Sequence, residues 1–240
     1  MKLSDRAIRF GLKPVLFLAA LGPFVYLVWA ALTGNLSANP LADLTNETGV
    51  WTLRFLCTTI AITPLRKLTG WNTFARFRRM AGLFAFFYGT LHLLTYGIAD
   101  RFAGLDEAPG WLDALGGGRV PGGMLVLSTA RSLAMSIGAD IYKRPFITIG
   151  FSTWLSMAPL AATSTTGMIR RLGGKRWNRL HRLVYLTATL GVVHYWWLVK
   201  ADVSRPLTYG AVVGILLAAR VYWARTRRLA PIPARTATRA

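Results

Sequence analysis

The sequence contains three histidines, His92, His181 and His194, and two of them lie within long apolar stretches. A polar side chain in such a stretch has no water to bind and is therefore a candidate for function. A neutral imidazole that donates to a carbonyl of a neighbouring helix is the structural alternative for each of them. Paired imidazoles could coordinate a haem iron, whereas zinc would need further ligands, and no carboxylate or thiol lies at their depth.

His92 and His194 lie at matching depths if their helices run in the same direction. His92 is 13 residues beyond Arg79 and His194 is 12 residues beyond Arg182, and each arginine precedes an apolar stretch. At about 1.5 Å per residue, both imidazoles lie roughly 18–20 Å from the basic boundary. The two side chains can therefore supply both axial ligands of one low-spin haem b, which favours electron transfer because no open position is left for oxygen.

His181 occupies the basic edge of the same predicted helix as His194. The 13 residues between them correspond to a rise of roughly 20 Å, and on an ideal helix their side chains point roughly 140° apart. The corresponding level of the other helix carries Arg78 and Arg79 instead of histidine. We therefore expect one haem, or two if His181 supplies a ligand to a second one, and an ordinary membrane-edge residue is the alternative.

Six apolar runs predict six transmembrane helices, because each approaches the ~20 residues needed to cross about 30 Å of hydrocarbon. These runs lie at approximately 14–33, 50–65, 80–99, 145–164, 183–199 and 207–224. The segments between them are too short for a soluble domain of the usual ~100 residues. We therefore expect an all-α polytopic membrane protein, a bundle around a bis-histidine haem, that forms a single domain over residues 1–240.

Composition and charge support the membrane class and orient the bundle. The 240 residues are 53% hydrophobic and only 16% charged, with 29 Lys+Arg against 9 Asp+Glu. Most of the basic residues fall in the terminal and loop segments of one side, and all the acids except Asp5 fall on the other. The positive-inside rule then places both termini in the cytoplasm, with the protein in the bacterial inner membrane. This distribution indicates that the basic residues orient the chain in the membrane and contact anionic lipid. It argues against nucleic-acid binding.

Two further stretches complete the expected organisation. Residues 124–138 are moderately apolar and contain Arg131, so an interfacial helix is a better interpretation than a seventh span. The first apolar run lacks a cleavage pattern and is expected to remain as a helix. The one cysteine, Cys57, lies within the second run, where packing is the simplest role.

Basic residues beside the predicted inner helix ends could bind an anion. They could hold haem propionates or a flavin phosphate through charge-assisted hydrogen bonds, although membrane orientation alone would also explain them. The candidates are Arg78, Arg79, Lys175, Arg176 and Arg182. No glycine-rich phosphate loop follows a predicted strand, so we do not expect nicotinamide to bind this chain.

Several motifs in register resemble the ferric-reductase-like transmembrane family, and within it the haem-binding subunits of periplasmic methionine sulfoxide reductase systems. These motifs are NP at 39–40, LTNETG at 44–49, ITPL at 62–65, RRMAGLFAFFYGTLHLLTYG at 78–97, RPFITIG at 144–150, LAATST at 160–165, GKRWNRLHRLVYL at 174–186 and HYWWLVK at 194–200. The resemblance covers most of the chain. Asn46 departs from it, because some relatives carry a histidine there.

The resemblance implies a six-helix haem b protein. Its electrons would come from the quinone pool or a cytoplasmic flavin reductase. They would pass to a periplasmic molybdopterin enzyme, which reduces methionine sulfoxide in proteins. It also implies FMN binding, and it matches His92, His181 and His194 to the family's haem-linked histidines. The chain would then be the electron-transfer subunit of an oxidoreductase complex and not its catalytic subunit.

Two other functions remain open at this point. A ferric reductase or oxidase membrane domain would share the haem chemistry, but such proteins usually carry a cytoplasmic flavin–nicotinamide domain, and this chain ends about fifteen residues after its last predicted span. A small proton-coupled transporter would use intramembrane histidines as a proton relay. Transporters commonly show repeated halves and buried acids, and neither is evident in this sequence.

Overall fold

The computed structural model describes residues 4–99, 131, 134–135, 137–199 and 201–229. Within these ranges the chain is helical apart from short connections, and no residue forms a strand. Most of the predicted interfacial helix at 124–138 lies outside the described residues. The all-α class expected from the apolar runs is confirmed for the part of the chain that is described.

Seven helices are labelled here in chain order. They are α1 (Asp5–Leu32), α2 (Pro40–Thr69), α3 (Arg78–Leu94), α4 (Pro145–Ala162), α5 (Thr166–Leu180), α6 (Leu183–Leu198) and α7 (Ser204–Leu229). Helix α3 continues into a π-helical turn at Thr95–Ala99, and a 3-10 turn at Asn72–Arg76 precedes it. Each of the six predicted spans falls on one of these helices, and α5 is the helix that no span anticipated.

Three of the described helices are long and apolar enough to cross a membrane. They are Asp5–Leu32, Pro145–Ala162 and the Ser204–Thr226 part of α7. Helix α6 is apolar but shorter, at Leu183–Leu198. Helix α2 is long but carries charged residues along its length, including Glu47 and Arg54. The chain is therefore a membrane protein by composition, while the count of six spans stays a prediction.

Helices α2 and α3 form the most extensively packed pair of the bundle, and α4 and α6 form the next. The ends of α2 follow from its sequence. The Asn39 side chain accepts a hydrogen bond from the backbone N–H of Ala42, Pro40 fits the first helical turn because its missing N–H is not needed there, and Gly70 ends the helix with φ 73°. One core cluster joins the two pairs through Leu56, Ile60, Ala85, Met157, Val184 and Ala188.

Helix α5 differs from the other helices. It carries no buried residue, and it is rich in arginine and lysine. The backbone leaves the helical conformation at Gly173, where φ is 71°, so the helix consists of two short pieces. The turn after α5 contains His181 and Arg182 and leads directly into α6. A basic, exposed helix of this kind is typical of a membrane surface.

Tyr88 on α3 joins this helix to the interior of α1. Its fully buried ring places the hydroxyl between two backbone groups: it donates to the carbonyl of Ala20 at 2.8 Å and accepts from the N–H of Phe24 at 3.1 Å. These two groups would ordinarily bond to each other as i and i+4 partners in a helix. Pro23 lies between them and perturbs the local ladder of hydrogen bonds. The tyrosine therefore satisfies a weak point of α1 and docks this helix onto α3.

Replacing Tyr88 with phenylalanine is expected to destabilise the fold by about 1–2 kcal/mol, because two backbone groups lose a shared partner in an apolar setting. For a chain of this size, each kcal/mol lowers the thermal midpoint by roughly 2–4 °C. The midpoint in detergent, followed by circular dichroism, checks this. Tyr222→Phe is the matched control, since Tyr222 is 64% exposed. Equal midpoints for the two variants would refute the docking role.

Candidate functional site

A large cavity lies among α2, α3, α4 and α6. It has a volume of about 580 Å³ and is lined by both His92 and His194, while His181 does not line it. Most of its lining is apolar, and polar side chains, including Asn46 and Arg205, lie around one end. Cofactor pockets in proteins commonly enclose about 300–1,000 Å³ and combine an apolar wall with a few polar groups. The cavity therefore has the size and character of a cofactor site.

Both cavity histidines are fixed by backbone carbonyls of a neighbouring helix. Nδ1 of His92 lies 2.8 Å from the carbonyl oxygen of Thr45, and Nδ1 of His194 lies 2.7 Å from that of Phe146. A carbonyl can only accept, so Nδ1 carries the proton in each ring and Nε2 keeps its lone pair. No hydrogen bond from the described residues reaches either Nε2. This is the arrangement that protein metal sites use to orient a ligating histidine.

The two imidazoles lie close enough to share one metal ion. Their ring centroids are 6.1 Å apart, and the ring planes make an angle of 75°. Two imidazoles on opposite sides of one iron, each with a metal–nitrogen bond of about 2 Å, have ring centres roughly 6 Å apart. The angle between the planes is unrestricted in that arrangement, because each ring can rotate about its own bond to the metal.

The same backbone unit recurs around each histidine. Thr45 is followed four residues later by Gly49, and Phe146 is followed four residues later by Gly150. In a helix, the side chain of residue i+4 lies beside the carbonyl of residue i. Glycine at that position leaves the carbonyl accessible to a second donor from outside the helix. In α2, and again in α4, a carbonyl that is followed one turn later by a glycine thus accepts a hydrogen bond from a histidine of a neighbouring helix.

Neither glycine could carry a side chain without moving its histidine. A Cβ atom at Gly150 would lie 2.6 Å from Cε1 and 2.8 Å from Nδ1 of His194. At Gly49 it would lie 3.0 Å from Nδ1 and 3.1 Å from Cε1 of His92. All four distances are shorter than ordinary van der Waals contact, and those at Gly150 are the shortest. The glycines therefore form a cradle into which the two rings fit.

The donor set fits haem better than a metal held by protein ligands alone. In the described residues, no group of three or more His, Cys, Asp or Glu side chains could hold a metal ion. Cys57 is buried in the core cluster and does not line the cavity. A site with two histidines and no third protein ligand requires a cofactor that supplies the remaining donors, as a porphyrin does. The residues present therefore fit a bis-histidine haem.

His181 lies apart from this cavity, in the turn between α5 and α6. The hydroxyl of Thr163 donates to the carbonyl of Pro159 and accepts from Nε2 of His181 at 3.1 Å. The imidazole stacks on Trp177, with ring centroids 3.8 Å apart. Burial lowers the pKa of His181 below its usual 6.5, and the positive charge of Arg78 lowers it further. His181 is therefore neutral at pH 7, and the structure does not bring it to the other two histidines.

Replacing Arg78 with glutamine is expected to raise the pKa of His181, because it removes a positive charge that opposes protonation. The unfolded chain binds this proton at a higher pH than the folded chain, so the wild-type fold loses stability as the pH falls below 6.5, and the variant should lose less. Histidine resonances in a ¹⁵N NMR titration measure the pKa directly. Arg79→Gln serves as the control. A titration of His181 that is identical in wild type and Arg78→Gln would contradict the assignment.

The five basic candidates occupy different places. Arg78 is half-buried near His181, whereas Arg79 lines a separate groove between α1 and α3. The remaining three, Lys175, Arg176 and Arg182, are exposed on or beside α5. They therefore do not form one common site in the described structure.

Arg220 on α7 is a further half-buried basic side chain, and the sequence alone does not single it out. Its guanidinium hydrogen-bonds to the hydroxyl of Tyr185 and to the carbonyl of Ile60, and it lies over the Tyr185 ring at 4.6 Å. Its buried Nε has no hydrogen-bond partner among the described residues. In the sequence, Arg220 resembles the other basic residues near the C-terminus, and only the packing of α7 against α2 and α6 distinguishes it from them.

Comparisons with known proteins agree on one family. The family described as "Ferric reductase like transmembrane component" matches residues 47–192, which include His92 and His181 and end two residues before His194. The chain is also similar to proteins named "Protein-methionine-sulfoxide reductase heme-binding subunit MsrQ". The one from Herminiimonas arsenicoxydans is 47% identical over 219 residues, covering 90% of this chain and 87% of that protein. The one from Ralstonia nicotianae is 47% identical over 222 residues, covering 92% and 87%, and the one from Rhodospirillum rubrum is 45% identical over 226 residues, covering 94% of both.

Proposed function

The chain belongs to the ferric reductase like transmembrane family, and from this premise we propose that it is the haem-binding, electron-transferring membrane subunit of a methionine sulfoxide reductase system. Electrons would enter from the quinone pool or from a cytoplasmic flavin donor. They would cross the inner membrane and leave for a periplasmic molybdopterin reductase that repairs oxidised proteins. Both chain termini would lie in the cytoplasm, and the described helices would belong to one domain.

The pair of cavity histidines is the observation that carries this proposal. His92 and His194 come from different helices, yet their rings approach to 6.1 Å and each has its Nδ1 proton engaged by a carbonyl. That proton fixes the tautomer and orients the ring, so that Nε2 can act as an axial ligand. His92 and His194 would together hold a haem, which would supply reversible one-electron chemistry and would leave no place on the iron for a substrate. The chain would therefore conduct electrons without transforming a substrate itself.

Further residues would position the cofactor. Gly49 and Gly150 give the imidazoles room, and the apolar wall around them excludes water from the site. Arg205 lies at the polar end of the cavity, where a guanidinium can hold a propionate through charge-assisted hydrogen bonds. With both termini in the cytoplasm, this cavity would lie toward the periplasm, which would suit delivery of electrons to a periplasmic partner.

The inner part of the path remains a prediction. His181 would ligate a second haem through Nδ1, which keeps its lone pair while Nε2 donates to Thr163, or through Nε2 if that hydrogen bond were exchanged for iron. At least one of Arg78, Arg79, Lys175, Arg176 and Arg182 would hold a propionate, or the phosphate of FMN, at this level. A quinone would be the alternative donor to a soluble flavin reductase.

Haem content and electron delivery test the proposal together. The purified protein should be red, with at least one haem b per chain in a pyridine haemochrome assay. After reduction in lipid vesicles, it should be reoxidised by an added periplasmic methionine sulfoxide reductase together with methionine sulfoxide, and by neither one alone. A colourless protein after haem supplementation, or reoxidation that ignores the sulfoxide, would contradict the proposal.

The family match also favours a second candidate, a ferric reductase membrane domain. This function would use the same cavity but would deliver electrons to ferric chelates. Reoxidation of the reduced protein by a ferric chelate, at a rate well above that with the reductase and sulfoxide, would favour it.

A proton-coupled transporter would instead acidify or alkalinise vesicles without any haem.

A further inference from the structure

A second groove of about 520 Å³ lies between α1 and the start of α3, and it shares no lining residue with the histidine cavity. Basic side chains line one end of it. Arg9 and Lys13 come from α1, while Arg76 and Arg79 come from the 3-10 turn and the first turn of α3. The starts of α1 and α3 lie side by side here and thus bring four cationic groups to one place.

Most of this positive charge is not compensated by the protein. Arg76 forms an ion pair of 2.7 Å with Asp5. Among the described residues, no carboxylate pairs with Arg9, Lys13 or Arg79. These cations are solvent-exposed in the isolated chain, and mutual repulsion disfavours holding them together unless an anion lies between them. The cationic end of the groove therefore fits a negatively charged group.

The rest of the groove is apolar and extends away from the charges. Its wall is formed by Phe17 and Leu21 on α1 and by Leu83, Phe84 and Phe87 on α3. Leu21 lies eight positions after Lys13, and Phe87 lies eight positions after Arg79, and each of these steps corresponds to about 12 Å along a helix. Phe17 and Leu83 remain 48% and 39% exposed, so the groove opens toward the lipid.

We propose that this groove binds one anionic phospholipid, such as phosphatidylglycerol. Its phosphate lies among Arg9, Lys13 and Arg79, and one acyl chain follows the apolar wall between α1 and α3. A basic pocket between membrane helices, on the side with excess positive charge, suits an anionic headgroup. Its charge is opposite to that of the phosphate, and it lies at the depth of the headgroups. The bound lipid completes the contact between α1 and α3 that Tyr88 makes deeper in the bundle.

Other occupants match only half of the groove. Free phosphate would satisfy the cations but would leave an apolar wall of five large side chains uncovered. A quinone would fill the apolar part, but its uncharged head would not compensate the cations. Phosphatidylcholine carries an ammonium group on its headgroup and is neutral overall, so it gains less from the basic end.

Native mass spectrometry of the holoprotein in neutral detergent tests this proposal. Phosphatidylglycerol and phosphatidylcholine with identical acyl chains are added in turn. The wild type should retain one phosphatidylglycerol per chain, with an affinity at least about tenfold above that for phosphatidylcholine. The double variant Arg9→Gln/Lys13→Gln should lose this preference and keep its haem. Leu83→Trp should weaken both lipids by filling the apolar part.

The matched control is the double variant Arg170→Gln/Arg171→Gln, which removes two exposed charges from α5 and should bind phosphatidylglycerol as the wild type does. Equal affinity of the wild type for both lipids would overturn the proposal, as would an equal loss in the control. Displacement of the lipid by millimolar inorganic phosphate or by a ubiquinone analogue would assign the groove to those ligands instead. Haem content separates this inference from the proposed function, since lipid binding can fail while the haem is fully retained.

Discussion

Alanine at His92 or at His194 should abolish binding of the low-spin b-type haem that we propose for this cavity. In the proposed site each imidazole would supply one of two protein ligands, and no other histidine, cysteine or carboxylate in the described residues joins them to form a larger cluster. Loss of a group that merely orients a metal ligand already costs 10–100-fold in affinity, so loss of the ligand itself should lower occupancy by at least about tenfold. The pyridine haemochrome assay with protein quantitation measures this occupancy for both variants.

His181→Ala is the natural comparison for these variants. If the chain holds one haem, this variant retains it in full, because His181 lies outside the cavity and its Nε2 donates to Thr163. If the chain holds two haems, it loses one of them and keeps the low-spin spectrum of the other. A His92→Ala or His194→Ala protein that keeps full haem content and an unchanged spectrum would exclude these residues as ligands.

Gly150→Ala should nearly empty the same site without removing any ligand. The added methyl group would lie 2.6 Å from Cε1 of His194, and the ring has to move for it to fit. A displaced ring loses the hydrogen bond to Phe146 and its alignment with His92, so haem affinity should fall about 10–100-fold. Haem content and the position of the Soret band of the purified variant are the measurements.

Two further glycines calibrate this result. Gly49→Ala should have a smaller effect, because its methyl group would lie 3.0 Å from His92. Gly214→Ala on α7 should have none, because nothing lies within 4 Å of the added atom. The expected order of haem loss is therefore Gly150, then Gly49, then Gly214. Equal haem loss from all three variants would show that the loss comes from reduced flexibility of the helices. It would exclude contact between the added methyl group and a histidine as the cause.

Much of the bundle could be predicted because hydropathy and charge are local properties of the sequence. The existence of a helix at each apolar run follows from composition alone. Counting residues from Arg79 and Arg182 also predicted that His92 and His194 lie level, and their ring centroids are 6.1 Å apart. The ligand role itself stays a prediction, since it depends on the cofactor.

Helix boundaries were harder to predict, and α2 shows why. Its apolar part suggested 50–65, yet the helix runs from Pro40 to Thr69. Residues 43–48 are mostly polar, so hydropathy does not mark them as part of a span. The Asn39 cap and the proline in the first turn extend the helix well beyond its apolar section. Local capping chemistry therefore sets the ends of this helix.

The details around each histidine could not be predicted, because they depend on the register between helices. Nothing in the sequence states which residue of α2 lies opposite His92, or which residue of α4 lies opposite His194. Gly49 and Gly150 each end a motif, LTNETG and RPFITIG, and this was the available signal. The four-residue spacing from carbonyl to glycine becomes meaningful only once both partners are known. The same limit applies to Arg220, whose position depends on how α7 packs.

The two carbonyls that fix the histidines belong to the early turns of α2 and α4, at the end of the bundle opposite Arg78 and Arg79. In the haem site that we propose, the strength of each Nδ1–H···O=C bond would influence how much electron density the imidazole donates to iron, and thereby the reduction potential. A redox partner that docks on this surface and displaces either helix start by a few tenths of an ångström would alter both quantities. The arrival of the electron acceptor would thus adjust the driving force of the transfer to it.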